Sequence, residues 1–155
     1  MTGTAIYRHL ASTLRRLLAS TMVASLAAGP VAAQAAAPAP VLRLELNAAQ
    51  PSQKGCRLTF VVENRLAADI ERMGFELALF DDKGVVERLT VLEFKDLPAG
   101  KTKVSRFDLS GVDCGKIGRI LINHASDCVG AGVGPSDCMQ RLETVSRAPG
   151  IAFGT

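Results

Sequence analysis

Apolar and polar residues alternate along most of the chain, beginning at Val41. Leu42, Leu44 and Leu46 fall on one parity, and a second alternating run extends from Cys56 to Val62. A period of two places successive side chains on opposite faces of a strand, so that one face is buried and the other solvated. Turn residues separate about seven such runs, spaced by about 8–14 residues. This pattern predicts an all-β fold, an immunoglobulin-like β-sandwich.

The run over residues 70–80 fits either a helix or a strand, because its apolar residues match both periods. The sequence that follows it, Asp81-Asp82-Lys83-Gly84, favours a strand. Gly84 supplies the positive φ that a tight hairpin turn requires. A second strand with Val86, Thr90, Leu92 and Phe94 in step then completes a long hairpin.

Less regular patterning characterises the C-terminal half of the chain. After the turn Leu97-Pro98-Ala99-Gly100, a strand with a bulge near Val104 is predicted, then a short strand over 115–124. Residues 125–140 are rich in glycine and predict a long loop. A last strand is expected over 142–147.

The N-terminal segment has the organisation of an export signal. Arg8, Arg15 and Arg16 precede an uncharged apolar run over 17–28, and small residues ending in Ala33-Gln34-Ala35 follow it. This order predicts a cleavable signal peptide over 1–35, an Ala/Pro spacer over 36–40 and one folded domain over 41–155. Arg15-Arg16 favours the twin-arginine route, whereas Leu14 replaces its usual polar residue, so the Sec route stays open. The predicted location is the periplasm.

Cleavage of that signal would change the charge of the protein. The full chain has a net charge of +3, and the only three charged residues of the segment 1–35 are arginines. The exported domain is therefore neutral, and it contains neither Trp nor Tyr. Neutrality disfavours a nucleic-acid partner. No segment after residue 35 is long and apolar enough to predict a membrane span.

Three stretches of the chain resemble the FxLYD-type domains of bacterial envelope proteins, which are immunoglobulin-like sandwiches. The stretches are Leu58-Thr59-Phe60-Val61-Val62-Glu63-Asn64, then Phe75-Glu76-Leu77-Ala78-Leu79-Phe80-Asp81-Asp82-Lys83-Gly84, and then Leu97-Pro98-Ala99-Gly100. Phe80 stands where the family has Tyr, and the resemblance ends near Leu109. The whole chain is also similar to small exported proteins of alphaproteobacteria that carry a twin-arginine signal. The resemblance implies no catalytic residue.

All four cysteines lie in the exported part, where an even number favours disulfide bonds. In an immunoglobulin-like sandwich the second and sixth strands start at the same end. Cys56 opens the second predicted strand and Cys114 precedes the sixth, so we expect Cys56–Cys114 and Cys128–Cys138. A zinc site of Cys114, His124, Cys128 and Cys138 is the alternative, but it lacks the short C-x2-C spacing, and no metal is predicted.

Motifs for catalysis are missing from the sequence, and no enzymatic activity or cofactor is predicted. We expect a binding or accessory protein whose partner is another envelope protein, engaged through an edge strand or the loop 125–140. The alternative is a small-ligand or metal-binding protein that uses His124 and the 128–138 loop. The candidate binding residues of the loop are His124, Asp127, Val129, Gly130, Gly132, Val133 and Gly134.

Overall fold

Residues 41–155 form two four-stranded β-sheets in a computed structural model, which describes this part of the chain. The strands are β1 (Leu42–Ser52), β2 (Gly55–Asn64), β3 (Ile70–Asp81), β4 (Val86–Leu97), β5 (Thr102–Ser110), β6 (Ile117–Gly130), β7 (Leu142–Ser146) and β8 (Ala152–Gly154). A 3-10 turn (Cys114–Lys116) precedes β6, and a helix α1 (Pro135–Gln140) follows it. The predicted signal peptide with Arg15, Arg16, Ala33 and Ala35, and the spacer 36–40, lie outside the described residues.

The strand order matches the predicted sandwich class. The first sheet has the order β5-β2-β1-β7, and the second has β4-β3-β6-β8. The first, second and fifth strands lie together and face the third, fourth and sixth, as in immunoglobulin-like domains. The two sheets each end on a short C-terminal strand that runs parallel to its neighbour, β7 along β1 and β8 along β6. The prediction of an all-β sandwich is therefore confirmed.

Inward-facing residues of both sheets form the core, and they are the alternate residues that the sequence pattern selects. Leu44, Phe60, Phe75 and Phe94 are among those with almost no exposure. Phe60 and Phe94 contact each other edge to face across the two sheets, with ring centroids 5.7 Å apart. Edge-to-face contacts of this kind add to the free energy gained from apolar burial.

The two disulfide bonds have the predicted pairing, Cys56–Cys114 and Cys128–Cys138. The first joins the start of β2 in one sheet to the segment that enters β6 in the other. The second joins β6 to α1. Paired cysteines are typical of proteins that fold in an oxidising compartment. In residues 41–155 no helix is long and apolar enough to cross a membrane.

Two predictions for single segments are wrong. The β2–β5 register is continuous, so no bulge occurs near Val104, whose side chain lies on the outer face of the first sheet. The predicted loop 125–140 is instead the end of a 14-residue β6, a short turn and α1. Ala125 and Cys128 are both buried although they are three residues apart, because register shifts in the β3–β6 pairing interrupt the alternation of inward and outward side chains. The period of two therefore does not continue through this part of β6, and the sequence pattern did not predict a strand there.

An eighth strand was also missed by the prediction of about seven. Strand β8 has only three residues, and it closely follows Pro149 and Gly150, two residues that are typical of turns. Its Phe153 ring lies 5.6 Å from the Phe60 ring, so the C-terminal residues close one side of the core.

Candidate binding surface

The residues predicted as a binding loop separate into two groups. His124, Asp127 and Val129 belong to β6, and Gly130 ends it. The remaining three, Gly132, Val133 and Gly134, lie in the turn that leads to α1.

Polar residues of the first group form pairs across the outer face of the second sheet. His124 Nδ1 lies 3.6 Å from Glu76 Oε1, and Asn123 donates a 2.7 Å hydrogen bond to the same carboxylate oxygen. Asp127 accepts a hydrogen bond from Arg72 on β3. These side chains are mutually satisfied on a solvated surface and do not converge on an enclosed site.

Structural requirements explain the glycines of the turn. A Cβ at position 130 would lie 2.2 Å from the Asp69 carbonyl oxygen, so only glycine fits there. Gly132 has a φ of +72°, a left-handed conformation that favours glycine. The Gly134 amide donates a 2.9 Å hydrogen bond to the Asp137 carboxylate and starts α1. These residues shape a turn that the Cys128–Cys138 bond fixes to β6.

The cysteines of the alternative zinc site are not available as metal ligands. Its three cysteines all form disulfide bonds and offer no thiolate. No group of three or more His, Cys, Asp and Glu residues within the range 41–155 is arranged to bind a metal ion.

An open surface depression of about 760 Å³ lies beside the β1–β2 turn. Arg57 and Asp108 line it, and the guanidinium donates two 3.0 Å hydrogen bonds to the carboxylate. This pair lowers the pKa of Asp108 below its ordinary value, chiefly through the hydrogen bonds from Arg57. Asp108 therefore already pairs with the Arg57 guanidinium, and Lys54 also lines the depression.

The outer face of the first sheet carries paired charges. Glu45 is only 8% exposed, and its carboxylate lies 3.1 Å from the Arg147 guanidinium. A hydrogen bond from Asn47 is the main cause of the lowered pKa of Glu45, with Arg147 and Arg43 acting in the same direction. Arg57–Asp108 extends this pattern to β5. Such a face is well suited to solvent.

By contrast, the outer face of the second sheet carries an apolar stripe. Three of its side chains, all on β4, are strongly exposed: Val86 at 50%, Leu89 at 59% and Val91 at 48%. Leu89 and Leu121 flank Ala78 in one row across three strands. Phe80 lies beside Val86, beneath the Arg119 guanidinium at 5.5 Å from the ring centroid. We define the apolar stripe as Ala78, Phe80, Val86, Leu89, Val91 and Leu121.

The stripe adjoins an open edge of the sheet. Strand β4 has 12 residues and pairs only with β3, so its other side has no neighbouring strand among the described residues. Side chains close both ends of this edge. Arg88 donates a 2.9 Å hydrogen bond to the Ser110 carbonyl, and Lys103 Nζ donates one of 2.6 Å to the Lys95 carbonyl. The backbone between these two contacts is left free.

The alternation of residues along β4 itself contains a signal for this surface. Val86 was expected to share a face with Leu92 and Phe94, but it is 50% exposed, because a register shift in the β3–β4 pairing separates it from them. Leu92 and Phe94 are buried as expected, and Leu89 and Val91, which are out of step with these two, face outward. Two large apolar residues of one strand therefore lie on its solvent-facing side.

Comparison of the chain with protein-family models, with curated proteins and with solved structures finds no match. The resemblance to FxLYD-type domains therefore stays a prediction.

Proposed function

We propose that this protein is an exported, non-catalytic binding protein of the periplasm that engages another envelope protein. The partner contacts the second sheet, on the apolar stripe and beside the edge strand β4. Of the two surfaces that the sequence suggested, the edge strand is favoured over the segment 125–140. That segment is a strand end, a tight turn and a disulfide-linked helix whose polar groups pair with one another.

The observation that carries the proposal is the difference between the two outer faces. The first sheet presents ion pairs and one strongly exposed valine, Val104, to solvent, whereas β4 presents three strongly exposed apolar side chains on one strand: Val86, Leu89 and Val91. Contiguous exposed apolar residues with polar residues at their rim are typical of protein interaction sites. Arg119 and Glu93 supply such a rim beside the stripe. The two disulfide bonds support an oxidising location for the encounter.

Site-specific photo-crosslinking in intact cells tests this function. A photoreactive residue at Leu89 should produce a crosslinked species that contains a second envelope protein, which mass spectrometry then identifies. The matched control is Val104, an apolar residue of similar exposure, 55%, on the outer face of the first sheet. The proposal is refuted if positions 89 and 104 capture the same proteins, or if neither captures a protein.

A further inference from the structure

The turn that joins β1 to β2 is held against the rest of the domain at three points. The Lys54 carbonyl accepts a 2.9 Å hydrogen bond from the Gly111 amide. A Cβ on Gly55 would lie 2.4 Å from a backbone carbonyl oxygen at the end of β5, so the turn packs directly on that strand. The next residue, Cys56, is bonded to Cys114. The turn therefore has its shape before a ligand arrives, and such preorganisation lowers the entropic cost of binding.

The Arg57 guanidinium lies beside this turn in a fixed orientation, and only one of its edges is in use. Nε and Nη2 each donate a 3.0 Å hydrogen bond to Asp108, one to each carboxylate oxygen. A guanidinium carries five N–H groups in a planar fork, so three of them remain, on Nη1 and Nη2. No group of the described residues accepts a hydrogen bond from these three. Arg57 can therefore bind a second oxyanion through its other edge without releasing Asp108.

A second cation, Lys54, lines the same depression. Within the part of the chain that the structure describes, its ammonium group forms no ion pair. Its charge nevertheless acts on the site, because the pKa of Asp108 is lowered chiefly by the hydrogen bonds from Arg57 and further by Lys54. Ser52 and Gln53 add a hydroxyl and an amide to the lining. Two cations thus face one carboxylate, and the lining has a positive charge in excess.

We propose that this depression binds a phosphate monoester, either a soluble compound or part of a lipid headgroup. The second edge of Arg57 would bind two phosphate oxygens, and the Lys54 ammonium would bind the third. A phosphate monoester has three terminal oxygens and a charge of about −2 at neutral pH, so it uses both cations, whereas the two oxygens of a carboxylate are satisfied by the arginine alone. The volume of about 760 Å³ lies in the range of small-molecule sites.

A second ion pair of the same kind lies at the other end of β2 and provides a matched control. Arg65 lies 2.8 Å from Glu63, and their side chains are 43% and 31% exposed, close to the 46% and 33% of Arg57 and Asp108. Arg65 does not line the depression. An effect that is specific to Arg57 therefore depends on the depression and on Lys54, and not on an exposed arginine in general.

NMR titration of the purified, isotope-labelled protein with inorganic phosphate at constant ionic strength tests the proposal. We expect saturable shifts of the amide signals of the β1–β2 turn, with a Kd on the order of 1 mM. K54A and R57A should each raise this Kd by about fivefold, because each removes a charged donor. R65A should leave it unchanged. Acetate should bind the wild type at least about fivefold more weakly than phosphate does.

Co-sedimentation with vesicles separates the two sources of the phosphate. One set of vesicles contains equal parts of phosphatidylcholine and phosphatidic acid, a lipid with a phosphate monoester, and the other contains phosphatidylcholine alone. Sedimentation with the first set only, reduced by K54A and by R57A, assigns the site to a lipid headgroup. Phosphate binding in the titration without sedimentation assigns it to a soluble compound.

Three results would overturn the proposal: no saturable shift up to about 50 mM phosphate, equal effects of K54A, R57A and R65A, or acetate that binds as tightly as phosphate. Circular dichroism establishes that each variant is folded, and K54A keeps the fold because only the backbone of Lys54 holds the turn. This binding goes beyond the proposed function and lies on the other sheet. Photo-crosslinking at Leu89 therefore tests the proposed function whether or not phosphate binds.

Discussion

Removal of the Asn64 side chain should destabilise the fold more than its size suggests. Asn64 is fully buried at the end of β2. Its amide nitrogen donates to the carbonyls of Ala68 and Leu97 at 2.9 and 2.8 Å, and its carbonyl oxygen accepts from the Leu66 amide at 3.0 Å. One side chain therefore connects the crossing from β2 to β3 with the end of β4.

The expected cost of N64A follows from these three hydrogen bonds. Each contributes about 1 kcal/mol net, and a buried partner that loses its bond pays a further desolvation cost, so the loss is at least about 3 kcal/mol. For a domain of this size that corresponds to a decrease of about 10 °C in Tm. N123A is the matched control, because Asn123 makes one hydrogen bond on the exposed surface. Its cost should stay below about 0.5 kcal/mol.

N64D separates the hydrogen bonds from the packing, because it preserves the side-chain volume. The buried carboxylate would face two carbonyl oxygens, so its pKa in the folded state would lie above that in the unfolded state. Stability would then be highest at low pH and would be lost as the pH rises through the folded pKa. Urea unfolding followed by circular dichroism is the assay, since the domain has neither Trp nor Tyr. An N64A protein within about 1 kcal/mol of the wild type, or an N64D protein equally stable at pH 4 and pH 7, would refute this account.

Three further predictions concern the rest of the fold. The pKa of Glu45 is lowered in the native state, so its ionised carboxylate stabilises the fold at a pH above the ordinary carboxyl pKa. This stabilisation is lost as the pH falls through the lowered pKa. The urea midpoints of wild type and E45Q should therefore differ at about pH 7 and converge near about pH 2. G130A should cost about 2 kcal/mol in the same assay, because its Cβ meets backbone at 2.2 Å; an unchanged midpoint would contradict that contact. C128A/C138A should cost about 3 kcal/mol in the same assay, because the open loop gains entropy in the unfolded chain; core amides that exchange only through global unfolding should then exchange faster, and an unchanged urea midpoint would contradict this role.

Much of the fold could be predicted from the sequence because one face of nearly every strand is buried. Parity alone selects Leu44, Phe60 and Phe94 for the core. The end of β6 could not be predicted in this way, since register shifts interrupt its period and place Ala125 and Cys128 inward on different parities. The disulfide pairing required the sandwich topology in addition to the spacing of the cysteines.

The candidate surface was harder to predict, for a physical reason. An exposed strand edge is defined by the absence of a neighbour, and no local pattern reports which strand ends a sheet. The sequence shows that Leu89 and Val91 are out of step with the core residues of their strand, but only the position of β4 at the sheet edge places them beside free backbone. Residues whose partners are local, such as those of the Asp81–Gly84 hairpin turn, were correctly predicted because Asp81 bonds within its own turn.

Core residues and the residues of the proposed binding edge alternate along β4. Leu92 and Phe94 are buried and support the core, whereas Leu89 and Val91 on the same strand contribute little to it. Lysine or threonine at these two positions would disfavour pairing of the edge strand with another chain, and Lys95 on the same strand is an example of such a residue. Exposed leucine and valine are unfavourable in water and gain free energy when a second protein covers them. Their position beside the free backbone of β4 is therefore the strongest argument that this edge of the sandwich binds another chain.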